Sequence, residues 1–186
     1  MKLTRWLSTA ATMFLAAAML VAGPVEASAT STLVCSNSPV PAGWVIVNSY
    51  RDNGCVTNIR YTITSVTTQS NLVVCSESPI PAGWVTLNSY FNNGCVSNIR
   101  YTIARVTTES SLVVCSNSTV PAGWVIVNSY FNNGCVTNVR YTITSVTTQS
   151  NLVVCSESPI PAGWVIQNSY QNNGCVSNVR YTIRKA

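Results

Sequence analysis

Eight cysteines are the residues of this sequence whose type and spacing most plainly invite chemistry. They stand at Cys35, Cys55, Cys75, Cys95, Cys115, Cys135, Cys155 and Cys175, one every twenty residues. A thiol can ligate metal, exchange disulfides or cross-link. Structural zinc sites use close ligand pairs, commonly with histidine, whereas this sequence has no histidine and no closely spaced cysteines. Catalytic thiol exchange uses Cys-x-x-Cys, which is absent as well. Cross-linking remains, since an even cysteine count in a secreted chain reads as a disulfide framework. Repeat symmetry favours one bridge within each repeat: Cys35–Cys55, Cys75–Cys95, Cys115–Cys135 and Cys155–Cys175. The rival pairing joins neighbouring repeats, Cys55–Cys75 onward, and leaves Cys35 and Cys175 over. A bridged loop of about twenty residues contributes on the order of 3 kcal/mol. A forty-residue unit needs such help, being near the size at which an apolar core alone fails. The tryptophan of each repeat is expected to pack on its bridge.

Acid–base or nucleophilic catalysis finds little to work with. Beyond residue 29 the carboxylates are Asp52, Glu77, Glu109 and Glu157, none of which recurs in all four repeats. Serines are plentiful, but no histidine is present to activate one, and Lys185 is the one lysine after the leader. The expectation is a protein that is not an enzyme and needs no cofactor and no metal. Binding is more credible. Asn48, Tyr50 and Arg60, repeated as Asn88, Tyr90 and Arg100, as Asn128, Tyr130 and Arg140, and as Asn168, Tyr170 and Arg180, combine aromatic faces with hydrogen-bonding groups. Such sets suit stacking on sugar rings and reading hydroxyls, and four weak copies would act together through effective concentration. The competing reading makes the tryptophans core and the asparagines turn-formers, with the arginine stem packed on the sheet.

These residues sit in a forty-residue stretch written four times without insertion or deletion. A representative copy reads "VCSNSTVPAGWVIVNSYFNNGCVTNVRYTITSVTTQS" from Val114 to Ser150. Self-similarity at this period decides the architecture before anything else. A second period overlies the first: copies one and three share "CSNS" and "CVTN", and copies two and four share "CSESPIPAGW" and "CVSN". Alternating structural environments and recent duplication explain this equally well.

Each copy predicts three strands. "NLVVCS" is apolar and β-branched. Then "ESPIPAG" breaks the chain with prolines and with Gly83, which permits a sharp turn. "WVIVNSY" alternates, placing Trp44, Ile46, Asn48 and Tyr50 on one side and Val45, Val47 and Ser49 on the other. Asn53-Gly54 and its equivalents signal a tight turn through positive φ. "CVTNIRYTI" then alternates, with Cys55, Thr57, Ile59, Tyr61 and Ile63 opposite a wetter Val56, Asn58, Arg60 and Thr62. The connector "TSVTTQS" lacks Pro and Gly and is expected to continue as strand.

The fold class expected is therefore all-β: four tandem disulfide-stapled modules at 30–70, 71–110, 111–150 and 151–186, stacked as a continuous array. Three strands per copy fit a four-stranded propeller blade less well. Residues 1–29 read as a signal peptide. Lys2 and Arg5 give its basic start, Met13 to Gly23 its apolar run, and Ala27-Ser28-Ala29 its cleavage pattern. That run is too short for a spanning helix of about 20 residues. The leader has a bacterial style, and the product is expected outside the cytoplasm, periplasmic or extracellular, with no stable membrane insertion. Only 8% of the 186 residues are charged, and the net charge of +5 has no basic cluster. Nucleic acid is therefore not an expected partner; glycans, other surface components and further copies of the chain are. The function classes are extracellular binding first, then an adhesive or self-assembling surface component, and last a toxin or antimicrobial, which lacks its usual cationic amphipathic segment.

Overall fold

A computed structural model describes residues 30–107 and 110–186; the expected signal peptide and Glu109 lie outside the described residues. The described chain is all-β, with twelve strands in four three-stranded antiparallel sheets. Module 1 contains β1 (Ser31–Cys35), β2 (Trp44–Arg51) and β3 (Ile59–Ser65). Module 2 repeats it as β4 (Asn71–Cys75), β5 (Trp84–Phe91) and β6 (Ile99–Arg105). Module 3 has β7 (Ser111–Cys115), β8 (Trp124–Phe131) and β9 (Val139–Ser145). Module 4 has β10 (Asn151–Cys155), β11 (Trp164–Gln171) and β12 (Val179–Lys185). In each sheet the last strand lies in the middle, so the order is β1-β3-β2.

The bridges form within modules, with Cα–Cα separations of 5.5 Å for Cys35–Cys55 and 5.6 Å for Cys75–Cys95, Cys115–Cys135 and Cys155–Cys175. Each ties the end of the first strand to the loop that feeds the middle one. The Pro-Ala-Gly-Trp turn follows the expected chemistry. Trp44 N–H donates to Pro41 O at 3.0 Å, with Gly43 at φ 75°. A side chain at Gly43 would meet open space, so φ alone demands glycine there.

Three local expectations are corrected. The middle strand begins at Ile59 and not at Cys55, because the bridge draws Cys55 into a turn that Asn58 closes with φ 55°. Positive φ belongs to Asn58 and its copies, not to the Asn53-Gly54 pair. Gly54 N–H instead donates to Asp52 Oδ1 at 2.7 Å in a side-chain-closed turn. At Gly94, Gly134 and Gly174 a Cβ would overlap the arginine guanidinium, so glycine lets that side chain lie close against the loop. The connector does not continue as strand. Beyond Ser65 the chain turns at Thr67–Thr68, and Val66 N–H is held by Gly43 O at 3.0 Å.

The fourth correction concerns β2 and matters most. A bulge between Ile46 and Asn48 breaks its alternation. Trp44 and Ile46 therefore face one way, and Asn48 and Tyr50 the other. Val45 and Ile46 are both buried, at 0% and 1% exposure, although they are adjacent in sequence. Each has its own core. Ile46 packs with Ile63 and with the bridge Cys75–Cys95 of module 2, while Val45 packs with Val74, Trp84 and Ile103 of module 2. The bridge therefore packs on the preceding module's apolar face and shares a cluster with that module's tryptophan rather than its own. Between modules 3 and 4, where β8 meets β10, both halves recur, with Ile126 on the bridge Cys155–Cys175 and Val125 with Val154, Trp164 and Ile183. Between modules 2 and 3, where β5 meets β7, Val85 packs with Val114, Trp124 and Ile143, while Thr86 stands in the place of Ile46. The modules form a continuous stack.

Candidate functional site

The strand register assembles the repeated Asn, Tyr and Arg on one sheet face. Tyr50 stands opposite Arg60 across β2 and β3, and Asn48 stands opposite Thr62. On the third strand Cys35 pairs with Arg60 and Leu33 with Thr62. Because directly opposed residues share a face, Tyr50, Asn48, Thr62, Leu33 and Arg60 belong to one surface. It exists only because the bulge at Val47 turns Asn48 and Tyr50 away from the core side.

This face is partly open in every module. Tyr50, Tyr90 and Tyr170 are 39%, 37% and 38% exposed, and Tyr130 is half-buried. Beside them Leu33, Val73, Val113 and Val153 are exposed, and Arg60, Arg100, Arg140 and Arg180 are half-buried. Asn48, Asn88 and Asn128 are half-buried and Asn168 is exposed.

The arginines already have structural work. Arg100 and Arg180 donate to Gly94 O and Gly174 O at 3.2 and 3.1 Å, holding their own loops. Arg60 Nε lies 2.5 Å from Asp52 Oδ2. Arg140 does more: it donates to Gly134 O at 3.3 Å and to Asn132 Oδ1 at 3.0 Å. It also reaches across the junction to Leu87 O at 3.1 Å and Asn88 Oδ1 at 3.4 Å. Asn88 of module 2 and Arg140 of module 3 are thereby brought together, and Asn88 also accepts from Ser89 N–H at 3.0 Å. The tyrosine is the aromatic member of each set with surface left to offer, joined in module 4 by the exposed Asn168. The tryptophans belong to the interior: Trp84, Trp124 and Trp164 are buried and Trp44 is half-buried.

The two periods of the sequence have a structural counterpart that residue types alone did not reveal. Ser49 of module 1 donates its hydroxyl to Glu77 Oε1 and accepts Val96 N–H at 2.7 Å. Ser97 closes the cluster on Glu77 Oε2 at 2.6 Å. In module 4, Glu157 is held by Ser129 of module 3 at 2.5 Å and by Ser177 at 2.6 Å. Burial works against ionisation of Glu157, but the hydroxyls of Ser129, Ser177 and Ser156 and its own backbone N–H outweigh it and hold the carboxyl below its ordinary range. Burial, and then the Glu157 charge, raise Tyr141 above its usual value. The glutamates lie beside cysteines, as in Cys75, Glu77 and Cys95. Those sulfurs are spent in the bridge, which leaves no thiolate to ligate a metal.

A second recurring feature lies along the Pro-Ala-Gly-Trp turns. Open grooves of about 560, 410 and 430 Å³ run between successive turns, lined among others by Pro41, Trp44, Pro81, Trp84, Pro121 and Trp124. They are mostly apolar and offer few hydrogen-bonding groups to a hydroxyl-rich ligand. The repeated "PAGW" was the available signal, but only stacking of the modules turns it into a groove.

Among the described residues no helix is long and apolar enough to cross a membrane. Four bridges and no free cysteine suit an oxidising, extracellular-type environment. Comparison with family models, with curated proteins and with solved structures finds no match to this chain.

Proposed function

We propose that this chain is a secreted, non-catalytic binding protein whose four modules each offer one shallow face to a hydroxyl-rich ligand, carbohydrate being the class. The observation that carries the reading is the recurrence of a partly open tyrosine beside Asn, Thr and Arg on the same sheet face of every module. Tyr supplies an apolar ring with a polar tip, and the neighbouring amide and hydroxyls supply neutral hydrogen bonds. The sites are rigid, because the bulge, the bridge and the arginine-held loop all fix the strand that carries the tyrosine. Multivalency then converts weak single contacts into useful retention.

Binding of the oxidised protein to an immobilised glycan array tests this reading. Saturable binding is expected, together with a stepwise loss as Tyr50, Tyr90, Tyr130 and Tyr170 are replaced by Ala one after another. Failure to bind any glycan, or undiminished binding by the fourfold variant, would remove the tyrosine face from consideration. An adhesive or self-assembling surface role is the second reading, and the exposure of β11 favours it.

A further inference from the structure

The outer strand of each of the first three modules is covered by the module that follows. Val45, Val85 and Val125 are fully buried, Ile46, Thr86 and Ile126 are 1% exposed, and Ser49, Ser89 and Ser129 are 4% exposed. Their equivalents on β11 are bare: Val165 is 41% and Ile166 48% exposed, and Ser169 is exposed. Module 1 shows the converse. Its Cys35 is half-buried where Cys75, Cys115 and Cys155 are fully buried; Ser38 is exposed where Ser78, Ser118 and Ser158 are buried; and Val56 is 91% exposed against 37% for Val96.

We infer that β11 docks onto module 1 of a second copy of this chain, repeating the internal junction head to tail. Both halves of that junction are present. At each internal junction a backbone N–H of the outer strand donates to a serine of the next module: Ile46 to Ser78 at 2.8 Å, Thr86 to Ser118 at 2.9 Å and Ile126 to Ser158 at 2.8 Å. In return Val96, Val136 and Val176 N–H each donate at 2.7 Å to Ser49, Ser89 and Ser129. In the docked pair Ile166 N–H meets Ser38 of the next copy, and Val56 N–H of that copy meets Ser169. The parity also fits. An even module meeting an odd one is the junction of modules 2 and 3, and Asn37 stands where Asn117 stands there.

Compared with the junction of modules 2 and 3, the contact is weakened without being abolished. Gln167 replaces Leu87 and Gln171 replaces Phe91 on the outer face, and Thr32 replaces Leu112 on the receiving one, which makes both more polar. Val165 and Ser169 are retained, and Ile166 stands in the place of Thr86. The expected association is therefore reversible and concentration-dependent, and, because the two surfaces differ, it extends beyond a dimer unless a ring closes. This inference does not depend on the glycan reading: Val165, opposite Arg184, shares the tyrosine's face, but Ile166, opposite Ile183, lies on the other one, and copy number is read without any glycan.

Sedimentation velocity of the oxidised protein over a wide concentration range tests it, with two variants at exposed positions. Ile166→Lys blocks the tail and Ser38→Arg blocks the head. The unaltered protein is expected to grow past two copies as concentration rises, while each variant alone stays at one copy. An equimolar mixture of the two variants is expected to reach two copies and stop, because one working head and one working tail remain. A single-copy mass at all concentrations would overturn the inference. So would association abolished by Ile166→Lys and untouched by Ser38→Arg, the signature of tail-to-tail pairing, or association that neither variant affects.

Discussion

The junction between modules 1 and 2 and the junction between modules 2 and 3 are built on the same strand, turn and bridge, yet they are locked differently. At the first, Glu77 accepts the hydroxyls of Ser49 and Ser97. At the second, Asn117 occupies the glutamate's position, Ser116 bonds Thr137 at 2.9 Å, and Arg140 spans the gap to Leu87 O and Asn88. The third junction returns to the first pattern through Glu157. Glu therefore travels with Ser97 or Ser177, and Asn with Thr57 or Thr137. The doubled period is a matched exchange of contact partners, with the carboxylate in each even module gripping the odd module before it.

The largest effect should come from the apolar side chains enclosed at the internal junctions. Ile126→Ala removes a fully enclosed side chain from the third junction and should destabilise by about 2–5 kcal/mol. Ile166→Ala, at the equivalent exposed position, should change stability by less than about 0.5 kcal/mol. Denaturant unfolding of both variants measures the contrast, and similar costs would mean that β11 is covered in the monomer.

Bridge removal comes next. Replacing Cys155 and Cys175, which pack on Ile126 of the preceding module, by Ala should cost on the order of 3 kcal/mol by the loop-closure argument. The loss should exceed that for Cys35 and Cys55, whose bridge has no preceding module packed on it. Thermal unfolding of the two double variants decides this, and the reverse order would argue against bridge-to-core packing as a source of stability.

Glu157→Gln should cost about 1 kcal/mol, the ordinary scale for lost hydrogen bonds. Asn117→Glu with Thr137→Ser should convert the middle junction to the carboxylate pattern and stabilise it by a smaller amount. The pH dependence sharpens the comparison. Folding lowers the Glu157 carboxyl below its unfolded value, so its contribution is present above the unfolded pKa and is lost as pH falls through the folded one. The unaltered protein should thus lose stability in acid more steeply than Glu157→Gln, below about pH 4. Parallel pH profiles would show that the carboxylate adds nothing at that junction.

Much of the architecture was legible in the residues. The indel-free period announced four equal units, the even cysteine spacing favoured bridges within them, and alternation in "RYTI" placed Ile59, Tyr61 and Ile63 together. The misreadings have one source: contacts that a single module cannot make. Strict alternation in "WVIVNSY" conceals the bulge, because Val45 and Ile46 are both apolar for the sake of two different cores, one of which belongs mostly to the next module. Asn-Gly reads as a φ signal, but what the glycine admits there is an arginine side chain that arrives from the middle strand six residues on. Composition singles out the Asn, Tyr and Arg sets, but their grouping on one face depends on a bulge that alternation does not foretell. Glu77 and Glu157 were set aside because they fail to repeat in all modules, which is the very property that marks their junctions.

The central claim is that the modules are locked into one stack through their outer strands, and native-state hydrogen exchange of the Ile166→Lys variant tests it most directly. In that single-copy protein Val96, Val136 and Val176 N–H should be protected, each being held by the serine of the preceding module. Val56 N–H, which occupies the same loop position with no module before it, should exchange at close to the unprotected rate. Equal exchange at all four amides would contradict the account and leave the modules as independent beads.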